Sequence, residues 1–164
     1  MKREDIEGAV KEVVLDVFEK MYFMFPEVIA EDDPVPSFPE SCFKAKVAVK
    51  NGSEVLMLYG SEQLVVDMAK NFLGVHEPIA EGDLIDVLKE AANVIAGNII
   101  TRLAIDSSIA LDVPVAERMQ PSSELPTAPR AQEAIFNIDD EFLKVAVVTS
   151  NELSGRNRYE SHRG

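Results

Sequence analysis

The chain has no tryptophan and a single cysteine, Cys42. One thiol closes no internal disulfide, so stability has to come from a packed core, and a reducing compartment is expected. Histidine is nearly as scarce, with only His76 and His162. Such a set cannot assemble a structural zinc cluster of the Cys/His kind. Positive charge is short too: 16 Lys and Arg stand against 29 Asp and Glu, for a net charge of -13. That balance disfavours nucleic acid, whose phosphates demand clustered cations, and anionic membrane surfaces. No apolar run approaches the ~20 residues of a membrane span. The opening Met1-Lys2-Arg3-Glu4-Asp5 runs into acids, not into the apolar stretch of a secretion signal. A cytoplasmic location is therefore expected. No glycine-rich phosphate loop is visible, since Gly52, Gly60 and Gly74 each suit a turn or a helix end.

What is present suits one soluble domain. The length of 164 residues is that of a single domain, and 46% hydrophobic content is enough for a core. One domain is expected over 1–150, with a first helix at 4–24, a linker at 26–40 and a core at 41–150. Residues 151–164 are polar and read as a flexible tail. In the first helix Ile6, Val10, Val13, Val14, Val17, Phe18 and Met21 recur at helical spacing. Its aromatic end, Tyr22, Phe23 and Phe25, is stopped by Pro26. In the core, Phe43, Ala45, Val47 and Val49 alternate with Lys44, Lys46, Ala48 and Lys50. Asn51-Gly52 is a hairpin turn signal, and Val55, Met57 and Tyr59 read as the return strand. A helix over 62–73 follows, with Ser61 as its N-cap and Gly74 as its end. A longer helix is expected over 84–104 with Asp83 as N-cap. Strands are expected at 107–113, 134–138 and 142–148, and a proline-rich loop fills 114–129. The pattern predicts an α+β fold, a mainly antiparallel sheet with three packed helices.

The long helix holds the candidate site. At ~100° per residue, Asp86, Glu90, Asn93 and Gly97 share a narrow ridge, while Leu84, Leu88, Ala91, Ile95 and Ile99 face the other way. Val94, Ala96 and Ile100 make the flanks apolar, so the helix is deeply seated and polar only along that strip. Asp86 has a structural explanation as the back-reaching member of a capping box with Asp83. For Glu90 a solvated helix face is the plain alternative. Asn93 is harder to dismiss, because its side chain competes with the backbone and is a poor choice inside a helix. Gly97 costs ~1 kcal/mol against alanine there, and close approach of a partner would account for it. Asn98 suits the core edge or the end of a strand.

The run Asp86-x-x-x-Glu90-x-x-Asn93, continued by Val-Ile-Ala-Gly97-Asn98, resembles the signature of the CheC/CheX/FliY chemotaxis phosphatases. In that family a proline follows in the next strand, and Pro114 of Leu-Asp-Val-Pro-Val matches it, at a slightly shorter gap than usual. A single motif copy is CheX-like, where CheC has two. The resemblance implies a CheC-like arrangement of the fold. It also implies a phosphatase acting on the phospho-aspartate of a CheY-like receiver domain in chemotaxis or two-component signalling. Asn93 would position the hydrolytic water and Glu90 would dock against the receiver. Asp86, Gly97, Asn98 and Pro114 would line the contact. No cofactor of its own is implied, since Mg2+ would sit on the receiver. A homodimer is implied as well, through strands near 107–113 and 134–148. The alternative is a non-catalytic receiver-binding or dimerisation module of the same fold. Phosphate release from a phosphorylated receiver separates the two.

Overall fold

Alternating side chains build the sheet around which the chain is arranged. The computed structural model describes residues 3–30, 32–33, 41–103, 108–119 and 132–149. The strands are β1 (Glu27–Val28), β2 (Cys42–Ala48), β3 (Glu54–Ser61), β4 (Val115–Arg118), β5 (Gln132–Ile138) and β6 (Glu141–Thr149). They form one sheet in the order β1-β5-β6-β3-β2-β4, and every pairing is antiparallel. The helices are α1 (Arg3–Val17), α2 (Glu62–Leu73) and α3 (Glu81–Arg102). This is the expected α+β architecture.

The period of two sends alternate strand residues to opposite faces. Phe43, Ala45, Val47, Leu56, Leu58, Leu143, Val145, Ala134, Phe136 and Ile138 form one buried cluster with all three helices. Cys42, Val55, Met57, Tyr59 and Val148 point the other way and gather with Met119 in a second, smaller cluster. Helix α3 contributes Leu84, Val87, Leu88, Ala91, Ala92, Ile95, Ala96 and Ile99 to the main core. Truncating a fully buried residue such as Leu88 or Ile95 to alanine costs about 2–5 kcal/mol. Helix α2 has the expected ends. Ser61 Oγ accepts from the Leu64 N–H at 3.2 Å, and Gly74 caps the other end at φ 68°.

Several local expectations are corrected. Helix α1 gives way at Val17 to a π-helical turn, Phe18–Tyr22. It ends at Phe23, which takes a left-handed φ of 56°, so the helix stops before Pro26. The expected linker holds β1, whose Glu27 and Val28 pair with Asn137 and Phe136. Asn51 and Gly52 are not the two central residues of a tight hairpin. The loop closes from the Val49 N–H to the Glu54 carbonyl, and Asn51 alone takes positive φ, at 60°. Gly52 is needed for space instead, because a Cβ there would meet Val49 Cγ1 at 2.7 Å. The tight two-residue turn lies between β5 and β6, where Asp139 and Asp140 have φ of 52° and 66°.

The strand expected at 107–113 forms later, as β4, inside the segment read as a loop. Before it the chain already pairs with the end of β2: Leu111 bridges Val49, the Lys50 N–H donates to the Ala110 carbonyl and the Asp112 N–H to the Ala48 carbonyl, both at 2.8 Å. Pro114, which has no N–H to donate, falls between this bridge and β4. The regular ladder with β2 runs from Val115 to Arg118. Residues 104–107, most of the 114–129 loop and the 151–164 tail lie outside the described residues.

Candidate functional site

The ridge stands where helical periodicity places it. Along the 22 residues of α3, Asp86 and Glu90 are exposed and Asn93 and Gly97 half-buried, while Leu84, Leu88, Ala91, Ile95 and Ile99 are buried. Residues three or four apart on a helix sit about 5–6 Å apart at Cβ. Glu90 and Asn93 are thus neighbours at the surface. Among the described residues, the side chains of Asp86, Glu90 and Asn93 make no hydrogen bond or ion pair with the rest of the chain. A carboxylate and a carboxamide stand together with their bonding capacity unused.

The start of α3 differs from the sequence reading. Its N-cap is Ala80, without a side-chain cap bond, and the Asp83 N–H donates to the Ala80 carbonyl at 3.0 Å. Asp83 is therefore inside the first turn, and Asp86 is in the second, beyond reach of a capping box. The helix can begin early because Glu81 and Asp83 place negative charge at its positive end. Asp86 is left as an exposed member of the ridge.

Among the described residues Gly97 has no packing reason: a Cβ there would meet nothing within 4 Å. Its carbonyl accepts from Thr101 Oγ1 at 3.0 Å. The exposed Asn98 turns back along the helix, with Nδ2 donating to the Val94 carbonyl at 2.8 Å. Pro114 is half-buried and leads into β4, which packs against α3.

Two residues that matter here carry no motif. Arg118, at the end of β4, donates to Glu81 Oε1 at 2.6 Å, to Glu62 Oε1 at 2.9 Å and to Ser41 Oγ at 2.7 Å. Its guanidinium lies 4.6 Å from the centre of the Phe43 ring. Arg118 thereby joins the sheet edge to the first turns of α2 and α3. Its hydrogen bond, with that from Ser41, holds the Glu62 carboxyl below the usual carboxylate range. Tyr22, at the end of the π turn, is buried, with its ring against Phe18 and Phe72. Burial raises its phenol pKa, and the Glu90 carboxylate raises it further. The only hint of Tyr22 in the sequence is the aromatic run 22–25. Arg118 gave no hint, because partners 37, 56 and 77 residues away meet it only in the fold.

Cys42 is a free thiol inside the second cluster. It is buried against Met119 Sδ at 3.4 Å, and burial pushes its thiol pKa up. Among the described residues no group of His, Cys, Asp and Glu could hold a metal, and no helix is long and apolar enough to cross a membrane.

Residues 46–129 match the family described as chemotaxis phosphatase CheX. Solved structures share the fold at low identity. The CheX protein of Desulfovibrio desulfuricans is 15% identical, with a TM-score of 0.65, over 88% of this chain and 98% of that one. The CheX protein of Vibrio vulnificus is 13% identical, with a TM-score of 0.66, over 90% of this chain and 99% of that one. A CheX-CheY-BeF3-Mg2+ complex from Borrelia burgdorferi matches at 16% identity and a TM-score of 0.57, over 89% of this chain and 96% of that one. No curated protein matches at the sequence level.

Proposed function

The chain belongs to the chemotaxis phosphatase family of CheX, and on that footing we propose that it hydrolyses the phospho-aspartate of a CheY-like receiver domain. The observation that carries this reading is the Glu90–Asn93 pair, together on the outer ridge of α3, whose side chains make no hydrogen bond or ion pair among the described residues. Hydrolysis of an acyl phosphate needs a water in line with the leaving oxygen and little covalent work by the enzyme. The water attacks phosphorus, the bond to the aspartyl oxygen breaks, and inorganic phosphate leaves a free carboxylate. A carboxamide both donates and accepts, so Asn93 orients that water. Glu90 forms a charge-assisted pair with the receiver's lysine. The receiver brings its own Mg2+. That the Borrelia neighbour is a CheX in complex with CheY, BeF3 and Mg2+ supports a receiver as the class of partner.

The remaining ridge residues serve contact. Gly97 keeps the surface low, so that a second backbone comes close. Asp86 extends the acidic strip toward the start of α3. Asn98 and Pro114 flank the docking surface. A homodimer is part of the same proposal. Among the described residues β4 is the outermost strand of the sheet, and Val113 and Val115 at this edge are 84% and 53% exposed. Such an edge is a template for pairing with another copy. The β2–β3 hairpin does not offer one, because β4 already pairs with β2.

The test is to add the chain to a CheY-type receiver phosphorylated by a small phosphodonor and to follow phosphate release. Accelerated release supports the phosphatase. Phosphorylation-dependent binding without acceleration selects the receiver-binding module of the same fold.

A further inference from the structure

The space between the sheet and the helices is not filled where α3 ends. A cavity of about 440 Å³ lies there. Its floor is a single row across four strands. Gln132, Val147, Leu56 and Val47 are successive partners in register from β5 through β6 and β3 to β2, and all four line the cavity. Ile6 of α1 and Ile99 of α3 line it as well. Close-packed interiors hold few voids larger than a water molecule. Small-molecule sites, by contrast, span about 300–1,000 Å³ and are mostly apolar with a few placed polar groups.

One member of the floor is polar. Strand side chains alternate, so Gln132 shares the core face of β5 with Ala134, Phe136 and Ile138. Among the described residues its buried Oε1 has no hydrogen-bond partner. Orphaned buried acceptors are uncommon and call for a reason. Leucine would hold the same place in the row without that penalty. The rest of the row is apolar, and a trapped water needs about two to four polar partners. We propose that the cavity binds a small apolar molecule carrying one hydroxyl. Its carbon frame lies against Val47, Leu56 and Val147, and its hydroxyl meets the Gln132 carboxamide. A hydroxyl both donates and accepts, so it satisfies either end of that carboxamide. Neither Glu90 nor Asn93 lines the cavity, and the site is therefore independent of the phosphatase reading.

The test is titration calorimetry of the full chain, beside thermal melts, with 1-octanol and with heptyl methyl ether. The ether matches octanol in size but has no hydroxyl to donate. Octanol is expected to bind at one saturable site and to raise the melting temperature as its concentration rises. The ether should bind about tenfold more weakly, the order of one hydrogen bond to a buried acceptor. In Gln132→Leu the two should bind alike. Val147→Phe fills the floor and should bind neither, and Ile100→Phe, from another lining residue, takes its place where that chain fails to fold. Octanol that shows no saturable binding overturns the inference. So does equal affinity for the two molecules in the wild type, a preference for octanol that survives Gln132→Leu, or undiminished binding in a folded, filled variant.

Discussion

Arg118 Nε donates to Glu81 Oε1 over 2.6 Å, so the last residue of β4 is bonded to the first residue of the helix that carries the ridge. The same guanidinium holds Glu62 at the start of α2. Arg118→Ala removes three hydrogen bonds and the contact with Phe43 at once. The guanidinium is 37% exposed, so solvent screening limits the loss. The expected cost is on the order of 1–2 kcal/mol, or roughly 2–8 °C in melting temperature. Thermal melts check it, and an unchanged midpoint contradicts it.

That cost should depend on pH. The folded Glu62 carboxyl titrates below its ordinary value because of Arg118 and Ser41. The unfolded chain, with an ordinary Glu pKa of about 4.3, then binds more protons in the acid range. The contribution is complete above that value and is lost as pH falls through the folded one. Melts at neutral pH and near pH 3 should show the gap between wild type and Arg118→Ala narrowing in acid. A gap that widens in acid contradicts the sign.

Gly97 separates stability from function. A Cβ there has open space, and alanine favours the helix by ~1 kcal/mol. Gly97→Ala should therefore melt higher than the wild type, yet bind an activated receiver more weakly. Titration calorimetry beside melts reads both. A variant that is more stable and binds equally well removes the close-approach role.

Val115 tests the dimer. It faces Lys46 across the β2–β4 pairing, so Val115→Lys leaves the paired backbone intact while adding charge to an apolar edge. Sedimentation should show a dimer for the wild type at micromolar concentration and a shift to monomer for the variant. A dimer unaffected by the substitution places the interface elsewhere.

The parts that were legible in the sequence are those fixed by local chemistry. Ser61 and Gly74 mark α2 because a hydroxyl cap and a left-handed glycine act within one turn. The ridge was legible because helical periodicity alone divides Glu90 and Asn93 from Leu88 and Ile95. What was not legible depends on distant partners. The two residues of β1 are a strand only because β5 offers its edge. Strand β4 was misplaced because its regular ladder lies beyond Pro114, while the segment before it makes one bridge, Leu111 to Val49. Asp83 was misread as a cap because the helix starts two residues earlier, at Glu81, with Ala80 as its N-cap. Asp86 consequently has no capping role, and Asp86→Ala should change stability by less than ~0.5 kcal/mol.

The rate of receiver dephosphorylation by Asn93→Ala, measured beside its affinity for the receiver, decides whether Asn93 positions the hydrolytic water. Asn93 is half-buried at the surface of α3 and makes no hydrogen bond among the described residues, so the variant should fold normally. A residue that only positions water contributes to the transition state and little to the ground state. In this variant kcat is expected to fall at least tenfold while affinity stays within about twofold. Full activity in Asn93→Ala would contradict it.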